Sequence, residues 1–247
     1  MFKFYEVGGC VRDSLLGIES KDIDYVAVPS DELLEGVSSA HTMFGILENF
    51  LRLEGFEIFL VTENCFTIRA KFPASHKYSG VADFVMARKE EGYIPGTRQP
   101  IVKPGTLYDD LERRDFTLNA LARDEDGKII DHFDGIWALE NRILITPLEA
   151  KITMLDDPLR LLRAFRFSIT KGFAISPSIM ETCHVDSVVD KLKDVVSEER
   201  IREEVFKMMR HDTVKALDLF SQVKILNPKL VEIIFGRNLW LKPTLEH

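Results

Sequence analysis

The residues of this chain best suited to chemistry are two aspartates one residue apart, Asp22 and Asp24. They open the alternating, β-branched stretch Asp22–Val28, which predicts a strand. Residues two apart on a strand point to the same face, about 7 Å apart. Two carboxylates so placed repel each other unless a cation lies between them, and carboxylate oxygens suit Mg²⁺. The pair is a candidate magnesium site.

A glycine pair, Gly8-Gly9, stands just before these aspartates, between a predicted strand and a short predicted helix. Close approach of backbone to a phosphate group requires residues without a Cβ atom. Arg12 and Lys21 add positive charge to the same segment. An Asp-x-Asp sequence alone would more often be a solvated strand face. Combined with the glycine turn, it indicates a compact site for an anion and a metal ion.

A third acid, Asp83, stands in the middle of the apolar strand predicted at Val81–Met86. A carboxylate in such a strand is costly unless it is paired or bound to a metal. One interpretation makes Asp83 a third catalytic carboxylate that activates an attacking hydroxyl group. The alternative is a structural ion pair with Arg69 or Arg88.

These residues need a scaffold, and the periodicity predicts two kinds. The first part of the chain alternates strands with helices, which indicates an α/β fold. The glycine- and proline-rich stretch Lys89–Gly105 predicts a long connection. From about Lys151 onward the pattern is helical, with one helix expected over Pro177–Leu192. We expect a first domain over residues 1–148 and a helical domain over residues 149–244.

The first segment, from Gly8 to Asp24, resembles the first motif of the class II tRNA nucleotidyltransferases (CCA-adding enzymes) and the bacterial poly(A) polymerases. Residues 110–121, 156–167 and 197–204 are similar to three later motifs, in the family's order. The resemblance implies an α/β polymerase-β-type head with a mostly antiparallel sheet, followed by a helical neck. It also implies Mg²⁺-dependent transfer of a nucleoside monophosphate to the 3′-hydroxyl of an RNA.

The resemblance assigns roles to individual residues. Asp22 and Asp24 would hold two Mg²⁺ ions, and the second motif would help to select a ribonucleotide. Arg113 is expected in a structural ion pair. The residues expected to cradle the triphosphate are Gly8, Gly9, Arg12 and Lys21. Those expected to face the ribose and triphosphate are Arg114, Asp115 and Asn119.

The segment at 156–167 resembles the motif that reads the incoming base, and its chemistry supports that reading. A carboxylate accepts from the amino group of cytosine or adenine, and an arginine fork donates to the neighbouring ring acceptors. Asp157 and Arg160, three apart on a predicted helix, would be neighbours on its surface. Uracil and guanine carry a carbonyl at the amino position and would leave Asp157 unpaired. The pair therefore favours CTP and ATP.

Two further arginines, Arg163 and Arg166, continue along the same predicted helix. Because each three-residue step turns the helix by about −60°, all of these side chains cannot meet one base. We expect Arg163 to contact the base or a phosphate group, and Arg166 to be a further nucleotide contact. Ion pairing with acidic residues of the head is the alternative for both, and it weighs more heavily for Arg166.

The sequence departs from the family pattern in the third motif. Asp131 and Gly135 are kept, but Ala138 stands where the family has a second acid. That motif is thought to couple head and neck, so the departure bears on coupling between nucleotide additions. Asp156 replaces the usual Glu at the start of the base-reading motif. At 247 residues, we expect a compact form of the enzyme that lacks most of the family's body and tail.

Composition and charge limit the partners and the cellular compartment that the chain can have. The net charge of −8 argues against a general nucleic-acid coat protein, and the acidic excess lies in residues 1–150. An RNA partner, which the resemblance implies to be the tRNA 3′ end, is therefore expected mainly on the helical half. Three widely spaced cysteines and six scattered histidines favour neither a disulfide framework nor zinc, and the cysteines fit a reducing cytoplasm. The absence of a long apolar run argues against a membrane span.

Three functions compete. The first is addition of CCA, CC or A to the tRNA 3′ end from CTP and ATP without a nucleic-acid template. The second is poly(A) polymerase or other RNA tailing activity; no basic, glycine-containing segment follows Asp24, which disfavours it. The third is a nucleotidylating regulator that modifies a protein, or an inactive RNA-binding module. The intact Asp22 and Asp24 argue against inactivity.

Overall fold

A computed structural model describes residues 1–20, 23–93 and 100–236 of the chain. Lys21 and Asp22 lie outside the described residues. The described chain divides into two compact units, a sheet unit (residues 1–20, 23–93 and 100–139) and a helical unit (residues 140–236). Within these residues, no helix combines the length and apolar character needed to cross a membrane.

The sheet unit alternates strands and helices. Its strands are β1 (Phe2–Val7), β2 (Asp24–Pro29), β3 (Glu57–Thr62), β4 (Thr67–Lys71), β5 (Val81–Met86), β6 (Arg88–Tyr93), β7 (Pro100–Pro104), β8 (Leu121–Arg123) and β9 (Ile129–Asp131). Its helices are α1 (Gly9–Leu15), α2 (Asp31–Gly36), α3 (Ala40–Leu53), α4 (Leu107–Glu112) and α5 (Gly135–Glu140).

In the described residues of this unit, seven strands form one sheet in the order β3-β4-β5-β2-β1-β8-β9. All neighbouring pairs are antiparallel except β2 and β5, which run parallel. A parallel pair needs a long crossover connection, and here the chain between β2 and β5 includes α3. The predicted mostly antiparallel α/β head is confirmed.

Helix α3 supplies much of the core of this unit. It begins at Ser39, whose hydroxyl accepts from the Thr42 amide. Its apolar residues recur at helical spacing and form one buried cluster with side chains of the sheet. Met43, Leu47, Leu51, Phe84 and Met86 in this cluster are fully enclosed. Burial of one face of the sheet leaves the strand residues of opposite parity free to carry chemistry.

The prediction of a long connection over Lys89–Gly105 is wrong, because β6 and β7 pair there as an antiparallel ribbon. Charged residues on both faces hide the strand pattern, yet Lys103 and Glu91 form a cross-strand ion pair of 3.0 Å. Prolines stand at the two ends of β7, a position that an edge strand tolerates.

The helical unit contains a short parallel pair, β10 (Ile143–Leu144) with β11 (Ala174–Ile175). Its helices are α6 (Ala150–Asp156), α7 (Leu159–Lys171), α8 (Pro177–Glu181), α9 (Asp186–Val195), α10 (Glu198–His211), α11 (Thr213–Leu226) and α12 (Pro228–Phe235). Helix α7 buries one face, including Leu161, Leu162 and Phe165, and packs against α10. Its arginines occupy the remaining, half-buried face.

The single helix predicted over Pro177–Leu192 is wrong, since α8 ends at Glu181 and α9 begins at Asp186. A 3₁₀ turn, Thr182–His184, separates them. The Thr182 hydroxyl donates to the Ile179 carbonyl. Such a side-chain bond to the backbone competes with helix continuation, and Val185 then takes an extended backbone.

Candidate active site

Asp24 and Asp83 come together on the two parallel strands at the centre of the sheet. They are register partners of β2 and β5, and the Asp83 amide donates to the Ile23 carbonyl at 3.3 Å. Paired strands lie about 4.8 Å apart, and register partners project from the same face of the sheet. Both side chains are half-buried. The structure therefore places the third acid beside Asp24, as one of the two interpretations of Asp83 requires.

Asp83 also has an ion-pair partner. The Arg69 Nε lies 3.8 Å from the Asp83 Oδ1, and the two side chains keep 51% and 35% of their exposure. Arg88, the other partner that the sequence offered, pairs instead with Glu90 and donates to the Cys65 carbonyl. A long ion pair between partly exposed groups contributes little to stability. The carboxylate therefore remains accessible to a ligand.

Gly8 stands where β1 turns into α1, and its backbone has φ +76° and ψ −128°. Side chains rarely adopt this conformation. A Cβ atom there would lie 2.7 Å from Nη1 of Arg114. The turn therefore requires glycine, and a side chain there would also displace the Arg114 guanidinium. Gly9 is different, since a Cβ on it would make only ordinary contact with Arg12.

Arg12 is buried and held from two sides. Its Nε and Nη2 donate to the carboxylate of Asp13, and its Nη1 donates to the Asn119 side-chain oxygen at 2.5 Å. Asn119 in turn donates to Asp115 at 2.8 Å. Helix α1 thus carries Arg12 into contact with the loop that contains Asp115 and Asn119. The structure brings these sequence-predicted residues together.

Asp110, for which the sequence predicted no role, binds the side chains of two arginines, Arg113 and Arg114. This fully enclosed carboxylate accepts from Arg113 on Oδ1 and from Arg114 on Oδ2. Burial by itself raises the pKa of Asp110, but the charges and hydrogen bonds of Arg113 and Arg114 outweigh it and hold that pKa at about 2. The spacing of three and four residues along a helix was the signal that could have found it.

Together Arg12, Arg113, Arg114, Asp110 and Asn119 form what we call the arginine cluster. Arg113 has the structural ion pairs expected of it, with Asp110 and with Glu90. Arg114 shares the Asp110 carboxylate and also lies 3.5 Å from the Asn119 carbonyl. Arg114, fixed by this carboxylate, presents a positive surface beside Gly8. Such a surface suits an anion with several oxygens, such as a phosphate chain.

The third motif forms the turn into α5. Asp131 accepts from the backbone amides of Phe133, Gly135 and Ile136. A Cβ atom at Gly135 would overlap the Thr117 carbonyl oxygen, so this turn packs directly on the loop of Asn119. Ala138 is fully enclosed. Asp131 and Gly135, which this chain keeps, therefore shape the turn. Position 138, where the family has a second acid, is buried.

In the helical unit, Asp157 stands directly before α7, and Arg160 lies in the first turn of that helix. Its backbone is extended, because the following Pro158 disfavours the helical conformation. Its Oδ1 accepts from the Leu159 amide at 3.1 Å, and its Oδ2 lies 3.8 Å from Arg200 of α10. The Arg160 amide donates to the Asp157 carbonyl, so the two residues remain adjacent.

The arginines of α7 have separate partners. Arg160 donates from Nη1 to the Thr153 carbonyl of α6 at 3.2 Å. Arg166 donates from Nε to Glu204 of α10 at 2.5 Å and lies over the Phe167 ring. Arg163 lies between them on the same half-buried face. Arg166 therefore forms an ion pair, as the alternative for it required, but its partner Glu204 lies in the helical unit and not in the head.

Known proteins resemble this chain over most of its length. The sequence profile of the family described as the poly A polymerase head domain matches residues 4–145. A multifunctional CCA protein of Nitrosomonas eutropha is 37% identical over 184 residues, which cover 72% of this chain and 37% of that protein.

Two solved structures show the same fold. The Bacillus stearothermophilus CCA-adding enzyme in complex with CTP has a TM-score of 0.71 at 28% identity, over 92% of this chain and 49% of that one. A tRNA nucleotidyltransferase complexed with a primer tRNA and an incoming ATP analog has a TM-score of 0.67 at 27% identity, over 95% and 59%. This chain spans between 37% and 59% of the length of the three relatives.

Proposed function

Because this chain belongs to the family of class II tRNA nucleotidyltransferases and poly(A) polymerases, we propose that it transfers CMP and AMP from CTP and ATP to the 3′ end of tRNA. The reaction needs no nucleic-acid template and releases pyrophosphate. Its product is a tRNA extended by CCA, by CC or by A. The observation that carries the proposal is the pairing of Asp24 with Asp83 in a unit that also holds the arginine cluster.

We assign the metal to Asp22 and Asp24. In the part of the chain that the structure describes, no group of three acidic, histidine or cysteine side chains is placed to hold a metal ion, and Asp22 lies outside that part. The half-buried carboxylates of Asp24 and Asp83 are the type of oxygen donor that Mg²⁺ prefers, so the described residues fit this ion. Bound Mg²⁺ would lower the pKa of the attacking hydroxyl and neutralise the leaving pyrophosphate.

The chain's own residues would bind and orient the nucleotide. Arg12 and Arg114 supply positive charge to the triphosphate, with Lys21 as a further contact and with Gly8 and Gly9 leaving room for its oxygens. Asp115 and Asn119, joined by a hydrogen bond, face the ribose. Asp83 would accept the proton of the attacking 3′-hydroxyl. Because most of these groups are already held by hydrogen bonds, little ordering remains to be done when the nucleotide binds.

Selection of the base is assigned to Asp157 and Arg160. The Asp157 carboxylate would accept from the amino group of cytosine or adenine, and the Arg160 guanidinium would donate to the adjacent ring acceptors. Arg163 is proposed as a base or phosphate contact. The bond from Arg166 to Glu204 favours a structural role for Arg166 over the nucleotide contact that the sequence predicted.

The partner and setting follow from the same assignment. We propose that residues 1–148 form the nucleotidyltransferase domain. Residues 149–244, the helical half, would provide most of the RNA-binding surface. All three cysteines are free thiols, and we place the reaction in the cytoplasm. A poly(A) polymerase remains the second candidate, favoured by the description of the family whose profile matches.

One assay tests the proposal. The protein is incubated with Mg²⁺, labelled CTP or ATP, and tRNA that lacks its 3′-terminal CCA, and the products are resolved at single-nucleotide length. Addition of C, C and A, or of part of that series, supports tRNA 3′-end synthesis. A long ladder of A residues would replace it with poly(A) synthesis. Absence of RNA labelling, with label on a protein instead, would favour a nucleotidylating regulator and would overturn the proposal.

A further inference from the structure

A cleft of about 350 Å³ opens in the sheet unit, and none of the described residues assigned to catalysis or nucleotide binding lines it. Its size falls within the range of small-molecule binding sites in proteins. Aromatic rings make up much of its wall. They include Phe4, Tyr25, Phe50, Phe56, Phe72 and Tyr78. We call it the aromatic cleft.

The cleft follows from the short length of β8. Strand β1 has six residues, but only Glu6 and Val7 pair with β8. In the described residues, the first part of β1 therefore has no strand beside it on that edge. The chain turns away at Asp124, whose side chain accepts from the Asp126 and Lys128 amides and fixes the turn. A strand edge carries carbonyl oxygens that can accept hydrogen bonds from a ligand.

The aromatic wall is packed before any ligand arrives. Tyr25 and Phe84 stack with their ring centroids 5.4 Å apart, and Phe72 stacks on His76 at 4.7 Å. Phe72 also contacts Tyr25 and Tyr78. Rings fixed against each other in this way lose little conformational freedom on binding a ligand. The shape of the cleft is therefore set by the core of the sheet unit.

The charge around the cleft is mainly negative. Five carboxylates line it, against three cationic side chains. Glu6 is buried in its wall, where its two oxygens accept from Tyr25 and Arg123. Among the described residues, no ion pair engages Glu54 or the exposed acids Glu125 and Asp126. One cation, Lys77, already donates to the Glu125 carbonyl at 2.7 Å.

We propose that the aromatic cleft binds an organic ammonium ion, that is, an amine whose charged nitrogen is attached to an aromatic or aliphatic body. The body would pack on the rings, and the nitrogen would lie among the carboxylates and strand-edge carbonyls. Aromatic walls attract cations through the negative faces of the rings. An anion such as a nucleotide phosphate would meet the excess of carboxylates, which distinguishes this cleft from the arginine cluster.

Three phenylalkyl probes test the charge requirement, namely 2-phenylethylamine, 2-phenylethanol and 3-phenylpropionate, and adenosine is measured beside them. Their affinities for the full chain are measured by isothermal titration calorimetry at neutral pH and low salt. The proposal predicts that the ammonium binds about tenfold more tightly than the alcohol and that the carboxylate binds most weakly. Equal affinities, no binding, or tighter binding of adenosine than of the amine would overturn it.

Variants locate the binding. The double substitution E54Q and D126N removes two carboxylates of the cleft and should weaken the amine several-fold while leaving the alcohol unchanged. E35Q removes an exposed acid of α2, outside the cleft, and serves as the control. Y78A should weaken both amine and alcohol, because it removes part of the wall. Thermal unfolding confirms that each variant is folded. Amine affinity that is the same in all variants would place binding elsewhere and contradict the proposal.

Discussion

Two sets of arginines in this protein are held in opposite ways. In the sheet unit, Arg113 and Arg114 converge on the single enclosed carboxylate of Asp110. In the helical unit, the arginines of α7 follow one another along a helix, and Arg160 and Arg166 each have a different partner. A convergent arrangement makes its members depend on one another, whereas a serial arrangement leaves them nearly independent.

This difference matches the chemistry proposed for each set. A triphosphate presents many equivalent oxygens and needs a fixed positive surface, which a shared buried carboxylate provides. A base presents a specific edge and needs one or two individually placed groups. We therefore expect substitutions in the sheet unit to affect turnover and stability broadly. Those on the base-reading side of α7 should affect the choice of nucleotide.

The largest expected effect is that of Asp24→Asn, which removes a carboxylate from the centre of the sheet. Transfer of CMP to tRNA should fall by at least about a thousandfold, because the charge that holds Mg²⁺ is lost. The rate of CMP transfer is measured by single-turnover kinetics. The affinity for CTP, measured separately, should fall only slightly. Asp31→Asn, at an exposed position of α2, is the matched control. Retained turnover in Asp24→Asn would show that this carboxylate of the sheet unit does not take part in the transfer reaction.

The next largest effect tests the shared carboxylate itself. Asp110→Ala leaves Arg113 and Arg114 without their common partner in a largely buried site. We expect the free energy of unfolding to fall by about 3 kcal/mol, measured by urea denaturation. Glu112→Gln, two residues further along α4, should change it by less than about 0.5 kcal/mol. Equal effects of the two substitutions would show that the arginines do not depend on Asp110.

Acid should weaken the same arrangement. The pKa of Asp110 is held at about 2, below its ordinary value of 3.8, so the folded protein binds fewer protons there than the unfolded chain. The stabilisation, about 2 kcal/mol, is complete above about pH 5 and is lost as the pH falls towards 2. Urea denaturation at pH 6 and pH 3 should show a steeper loss in the parent protein than in Asp110→Asn. Parallel pH profiles would contradict this.

The smallest effect is expected in the helical unit. Glu204 is buried, as Asp110 is, but its carboxylate is in close contact with one arginine only, Arg166. The Lys207 Nζ lies 3.9 Å from its Oε1. Because Glu204 closely holds one arginine where Asp110 holds two, and Arg166 keeps its contact with Phe167, Glu204→Ala should lower the free energy of unfolding by about 1.5 kcal/mol. The comparison with Asp110→Ala is direct, by urea denaturation. A loss as large as that of Asp110→Ala would erase the distinction between the two sets.

Much of the fold could be predicted from periodicity. Strand β5 has the bounds that the alternation at Val81–Met86 predicts, because one face of it enters an apolar core. The ribbon of β6 and β7 could not be predicted in this way, since it buries no continuous apolar face and its charged residues obscure the alternation of a strand. The break between α8 and α9 depends on the hydroxyl of Thr182, which helical periodicity does not register.

The residue types of the candidate site were predictable, but their connections were not. Local motifs indicate Gly8, Arg12 and Asn119 singly, whereas the bond between Arg12 and Asn119 joins residues 107 positions apart. The partnership of Asp83 with Arg69 and not Arg88 depends on strand register, which the sequence alone leaves open. Asp157 precedes α7 because Pro158 disfavours the helical conformation in the residue before it, which the three-residue spacing of Asp157 and Arg160 does not register.

The most direct test of the division between transfer and base choice is nucleotide selectivity. The ratio of kcat/KM for CTP to that for UTP is measured on tRNA lacking its 3′ end, for the parent protein, Asp157→Ala and Arg160→Ala. We expect this ratio to fall by about tenfold to a hundredfold in both variants, while UTP incorporation is retained or increased. An unchanged ratio, with CTP and UTP incorporation lost in equal measure, would contradict it.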